Sequence, residues 1–117
     1  MDARWIGFGA IEVEGRRYDH DIVIDAGAVS KRTKKASKRY REQYGHTPLS
    51  ADERIPWGGG RLIVGTGAYG SLPVTPELER EAARRHVQIV ALHTPDALRL
   101  IADLAAEDVR AVIHVTC

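Results

Sequence analysis

Two copies of one helix-start signal, Thr75-Pro76-Glu77 and Thr94-Pro95-Asp96, separate three short apolar runs in the second half of this chain. In each copy the Thr hydroxyl suits the N-cap, and the Pro suits the first helical position, where an N–H has no intrahelical partner. The apolar runs lie at 61–65, 87–92 and 110–115. Strand, helix, strand, helix, strand at these lengths implies parallel neighbours joined by right-handed crossovers. Glu81 and Arg85 form an i,i+4 pair on the first helix, and Leu98, Ile101, Ala102 and Ala105 give the second an apolar stripe. The predicted class is α/β.

The first half reads differently. Tyr18, His20, Ile22 and Ile24 alternate with Asp19, Asp21, Val23 and Asp25, which predicts a strand with one largely polar face. Gly15 separates it from an earlier run, so a β-hairpin is expected. In that earlier run the apolar phase changes between Ile6 and Phe8 and Ile11 and Val13, which predicts a bulge or bend at Gly7 or Gly9. Ala26-Gly27 turns into a third strand at 28–31. From 34 to 44, Ala36, Tyr40 and Tyr44 recur every four residues, the stripe of a helix that Gly45 stops. Ser50 and Glu53 have capping-box spacing and predict a short helical turn, and 56–60 reads as a loop. With 117 residues, the chain is expected to form one domain over 1–117: an N-terminal β-hairpin region followed by a βαβαβ unit.

Charge is unevenly spread. The totals are 17 Lys and Arg against 16 Asp and Glu, a net charge of +1. Residues 31–46 hold Lys31, Arg32, Lys34, Lys35, Lys38, Arg39 and Arg41 against Glu42 alone, a local balance of +6, and the remainder carries −5. These seven cations are the candidate protein-contact surface. Tyr40 and Tyr44 interleave with them, as in a nucleic-acid groove, but they share the stripe expected to face the core, and this weighs against nucleic acid. No run approaches the ~20 apolar residues of a membrane span. The first residues lack the apolar stretch of a secretory signal, and one cysteine fits a reducing compartment, so a cytoplasmic protein without a membrane partner is expected.

Ligands of open α/β sheets bind at the carboxyl edge of the strands. Here that edge gathers Gly65, Thr66, Gly67, Tyr69, Gly70, His93, Thr94, His114, Thr116 and Cys117, the candidate ligand-binding set, with two helix N-termini that favour an anion. Gly65, Gly67 and Gly70 spell G-x-G-x-x-G. Four residues intervene before the Thr75 cap, however, and the acid expected after the next strand is missing, so the glycines are read as close-packing and positive-φ positions. His114 and Cys117 are three apart, so they point to opposite faces and cannot pair directly while the strand continues, and His93 has no Asp or Asn obviously placed to orient it. No catalytic residue is therefore assigned. The five histidines and one cysteine show no metal-ligand spacing, and no cofactor is expected.

The segments 63–70, 93–97 and 114–117, with Phe8-Gly9, Gly15, Tyr18, Asp21 and Ser37-Lys38, resemble domain-of-unknown-function family 498, the Mth-domain-containing proteins. The family's relatives include mitochondrial complex I assembly factor three and the adipogenesis-associated Mth-domain-containing protein. The resemblance implies a three-layer α/β fold with a central mixed sheet and no established activity. The expected function is a non-enzymatic protein-binding or assembly-accessory module. The alternative is a small-ligand or anion-binding domain at the carboxyl edge, with the possibility of catalysis left open. Oligomeric state is not legible in the sequence.

Overall fold

The structure is a computed structural model and describes all residues 1–117. Strands β1 (Ala3–Gly7), β2 (Ala10–Val13) and β3 (Arg16–Tyr18) form an antiparallel sheet in that order. Between β2 and β3, Glu14 and Gly15 take φ of 51° and 77°, the two-residue turn whose twist matches its flanking strands. The β1–β2 register slips between Trp5 and Gly7, where the apolar phase changes in the sequence. The hairpin at Gly15 and the irregularity near Gly7 thus fall where they were expected.

The alternating run at 18–25 is not one strand. It breaks at Asp19-His20, and β4 (Ile22–Asp25) belongs to a second sheet with β5 (Ala28–Lys31). Ile22, Val23 and Ile24 are all buried, so β4 needs cover on both faces, while Arg16 and Arg17 of β3 are exposed.

The second sheet has five strands in the order β5-β4-β8-β6-β7, where β6 is Arg61–Thr66, β7 Gln88–Leu92 and β8 Arg110–His114. β6 pairs in parallel with both β7 and β8, and β4 joins β8 antiparallel, which makes the sheet mixed. Helix α2 (Pro76–Arg84) leads to β7, and α3 (Thr94–Ala102) carries the chain back past β6 to β8. Strand alternation places the two helices on opposite faces. Leu62, Val64, Val112 and Val23 pack with Leu78 and Ala82 of α2, whereas Ile63, Ala111, Ile113, Ile22 and Ile24 pack with Ala97, Leu98 and Ile101 of α3. Ala3, Ile11 and Val13 of the small sheet join the α3 side, giving three layers. The α3 stripe is shifted from its expected position: Ala97 is buried, while Ala102 and Ala105 are exposed.

Local chemistry differs from expectation at three places. Thr75 caps α2, its Oγ1 accepting from Leu78 N at 3.2 Å. Thr94 does not cap α3; His93 holds the N-cap position, and Thr94 lies buried in the first turn. The basic segment is a 3₁₀ helix at Lys34–Tyr40 followed by one turn, α1 (Arg41–Tyr44), ending on Gly45 at φ 76°. Ala36 is exposed, Tyr40 and Tyr44 are half-buried, and Ser37 is the buried residue, because a three-residue turn does not keep an i,i+4 stripe on one face. At Ser50–Glu53 a single turn forms, but without the capping box: Ser50 Oγ accepts from Asp52 N at 3.3 Å, and Glu53 points into the protein.

Candidate functional site

The glycine loop after β6 is filled by the protein's own chain. Ala68 N donates to Thr116 O at 2.7 Å, and Tyr69 N and Ser71 N donate to Cys117 O at 3.1 and 3.0 Å. Gly67 sits at φ 100°, and a Cβ there would lie 2.1 Å from Cys117 C. Gly65 lets the Thr94 hydroxyl approach: Thr94 Oγ1 accepts from Gly67 N at 2.8 Å and donates to His114 O at 2.6 Å, tying the ends of β6, β8 and α3. Thr66 Oγ1 donates to Leu92 O at 3.0 Å. Gly70, at φ 72°, packs against the exposed His93 ring. These glycines therefore serve close packing and positive φ, and the N–H groups of Ala68, Tyr69 and Ser71 are occupied by residues 116–117.

Beside this loop, on the α2 face of the sheet, lies a cleft of about 300 Å³. His114, Thr116, Cys117 and Ser71 form its floor at the ends of β8 and β6, and Lys34, Lys38 and Arg41 reach it from the basic segment. Members of the two candidate sets, far apart in sequence, meet here, whereas Gly65, Thr66, Gly67, Tyr69, Gly70, His93 and Thr94 do not line the cleft. Lys34, Lys38 and Arg41 are exposed and enter no salt bridge. Lys31 and Lys35 lie outside the cleft, and Arg39 is engaged with Asp52 at 2.6 Å.

Arg32 departs from its expected role as a surface contact. It is 4% exposed, with only an edge on the cleft. Its Nε and Nη2 donate to the two Glu53 oxygens at 2.8 Å each, Nη1 donates to Asp21 Oδ2 at 3.0 Å, and Nη2 also donates to Pro48 O at 2.9 Å. Glu53 Oε2 accepts from Ser37 Oγ at 2.5 Å, and Ser37 Oγ shares a 2.6 Å hydrogen bond with Ser50 Oγ. A guanidinium can enter the interior only if its donors are met, and a two-oxygen fork meets two at once. The network pins the basic segment against the sheet and so fixes where Lys34 and Lys38 emerge.

Asp21 links this network to the floor of the cleft. Its Oδ1 accepts from Val115 N at 3.0 Å, and its Oδ2 lies 2.8 Å from His114 Nδ1. Burial pushes the Asp21 carboxyl up, but the hydrogen bond and charge of His114, the Val115 N–H and Arg32 together outweigh it and hold the carboxyl at about 2. An ionised carboxylate only accepts, so Nδ1 carries the proton and Nε2 turns to the cleft, 3.3 Å from Thr116 Oγ1. His114 thus has the orienting carboxylate that sequence spacing did not reveal. The opposite-face argument against His114 and Cys117 also lapses, because β8 ends at His114 and both residues line the cleft. No three His, Cys, Asp or Glu side chains come together as a metal group.

Because the Asp21 carboxyl is depressed in the folded state, its contribution is complete above the unfolded carboxylate range and disappears as pH falls through about 2. The expected loss is about 2 kcal/mol between pH 5 and pH 2, read from urea midpoints. Asp21→Asn is expected to flatten that slope; an unchanged slope would show that Asp21 does not carry it.

His46, Thr47 and Ser71 of the cleft, and Asp21, Ser37 and Glu53 behind it, were not singled out as site residues from the sequence. The Ser50–Glu53 spacing was visible, but as a cap rather than as a partner for Arg32.

Among solved structures, the chain is similar to conserved hypothetical protein PH1505 from Pyrococcus horikoshii OT3, at 29% identity over 100% of both chains with a TM-score of 0.80. It is also similar to MT938, at 25% identity over 95% of this chain and 94% of that one, TM-score 0.68. A protein from Bordetella parapertussis shares 27% identity over 94% of this chain and 89% of that one, TM-score 0.57. No protein-family model and no curated protein matches the chain.

Proposed function

We propose that this protein binds a small anion in the cleft at the carboxyl edge. The observation that carries the reading is the convergence of three unpaired cations, Lys34, Lys38 and Arg41, on a polar floor of His114, Thr116 and Ser71. A cleft with one sign of charge concentrates the opposite ion, and the fixed hydroxyls and imidazole supply direction. Inorganic phosphate titrated at low ionic strength is expected to bind, and Lys34→Ala with Lys38→Ala to weaken it about tenfold, since each exposed charge contributes up to about 1 kcal/mol. Binding unaffected by the double substitution, or no binding at low salt, removes the proposal.

Protein docking, which the charge pattern and the resemblance to family 498 suggest, is a second proposal. It is supported by an exposed aromatic pair, Phe8 and Tyr69, with ring centroids 6.0 Å apart. The lysine substitutions discriminate between two modes of docking: a partner held by the basic face is lost with them, and one held by the aromatic pair is retained. No helix is long and apolar enough to cross a membrane, and a cytoplasmic location is proposed from the single cysteine.

A further inference from the structure

We infer that anion binding in this cleft is coupled to uptake of one proton at His114 Nε2, which makes the preferred ligand a dianionic oxyanion such as a phosphate or sulfate group; this rests on the anion-binding reading above. Behind His114 lies a buried cluster of one guanidinium, Arg32, and two carboxylates, Asp21 and Glu53. Its formal charge is −1 with the imidazole neutral and zero with it protonated. Asp21 holds Nδ1 at 2.8 Å, so the only ring nitrogen free to take a proton is Nε2, which faces the cleft.

Nε2 accepts from the Thr116 hydroxyl at 3.3 Å, and unpaired cations line the same cleft. Those cations are Lys34 and Lys38 of the 3₁₀ helix and Arg41 of α1, and the other titratable groups lining the cleft are His46 and the Cys117 thiol. A bound dianion reverses the balance. It offsets the lysines and Arg41, and it offers Nε2–H an acceptor, so the imidazolium becomes the favoured form. The proton comes from solvent and is returned on release. A monoanionic carboxylate supplies half the charge and drives less uptake.

Sulfate is the appropriate probe, because it keeps both charges from pH 5 to pH 8 and any pH dependence belongs to the protein. Calorimetry of the intact chain in buffers of different ionisation enthalpy is expected to show net proton uptake with sulfate near neutral pH. Affinity is expected to fall by up to about tenfold per pH unit above the imidazole titration. His114→Gln is expected to abolish the uptake and flatten the affinity profile, and His86→Gln, at an exposed position outside the cleft, to leave the uptake in place. Independently of any substitution, NMR of the wild-type ring is expected to show the His114 midpoint moving to higher pH in saturating sulfate.

Sulfate binding without proton uptake, uptake that survives His114→Gln, or a midpoint that does not move overturns this inference and leaves the anion-binding reading standing. Absence of sulfate binding at every pH overturns both.

Discussion

Arg32→Met is expected to cost about 3–5 kcal/mol of folding stability, read as a large drop in the urea midpoint at pH 7. The methionine replaces the bulk of the side chain but not its donors. Glu53 loses both parallel N–H partners, Asp21 loses one, and the Pro48 carbonyl is left without its donor. Asp21 is 7% exposed and Glu53 8%, so solvent cannot readily replace what was removed. The expense lies in two carboxylates left in the interior without their cation rather than in the net worth of the ion pairs, which desolvation offsets. Arg39→Ala, in the same basic segment, is expected to leave the midpoint near that of wild type, since its partner Asp52 is exposed and water replaces the contact. Equal effects at the two positions would refute the distinction between a buried strut and a solvated charge. Arg32→Lys is no rescue, because an ammonium cannot span the two Glu53 oxygens.

Gly67→Ala is the second large effect, an expected loss of about 2–5 kcal/mol from φ strain and overpacking together. The new methyl would stand 2.1 Å from Cys117 C, 2.5 Å from Cys117 O and 2.9 Å from His114 Cδ2. Two of those atoms are main chain, so no rotamer change relieves the clash. At φ 100° the residue also occupies a region that side chains rarely adopt. The expected response is separation of residues 116–117 from the loop, with loss of the bonds from Ala68, Tyr69 and Ser71. The cleft floor should then be disturbed, and anion affinity should fall with stability. Gly60→Ala is the control. Nothing lies within 4 Å of its Cβ position, and a change within about 0.5 kcal/mol is expected. A Gly67 variant as stable as the Gly60 variant would mean that the loop and the terminal segment are not locked together.

The second half of the fold was legible because its signals are local. Thr75 and Pro76 act within one turn of helix, and the apolar runs are long enough to declare strands. Boundaries moved by a residue or two. The larger errors arose where a local pattern had two solutions. The alternation through Tyr18, His20, Ile22 and Ile24 fits one strand or two, and the need to bury Ile22, Val23 and Ile24 on both faces selected two. The Ala36, Tyr40 and Tyr44 stripe holds only for α geometry, and Ser37, drawn inward by Glu53 and Ser50, anchors a 3₁₀ turn instead.

The candidate site was legible in parts but not as a whole. His114, Thr116 and Cys117 could be placed at a carboxyl edge from strand order, and the cations of 31–46 were plain from composition. Nothing in either segment says that they meet.

The sequence by itself therefore determined the α/β class, the hairpins at Gly15 and Ala26-Gly27, the capped start of α2 and the presence of an intense local positive charge. Each depends on residues within a few positions of one another. The tertiary structure decided which cation is a strut and which are free, filled the glycine loop with residues 116–117, and set Asp21 on His114 across 93 positions of chain. Those outcomes depend on burial and on the pairing of distant charges. They exist only once the β4, β6 and β8 ends have been brought to the same edge of the sheet.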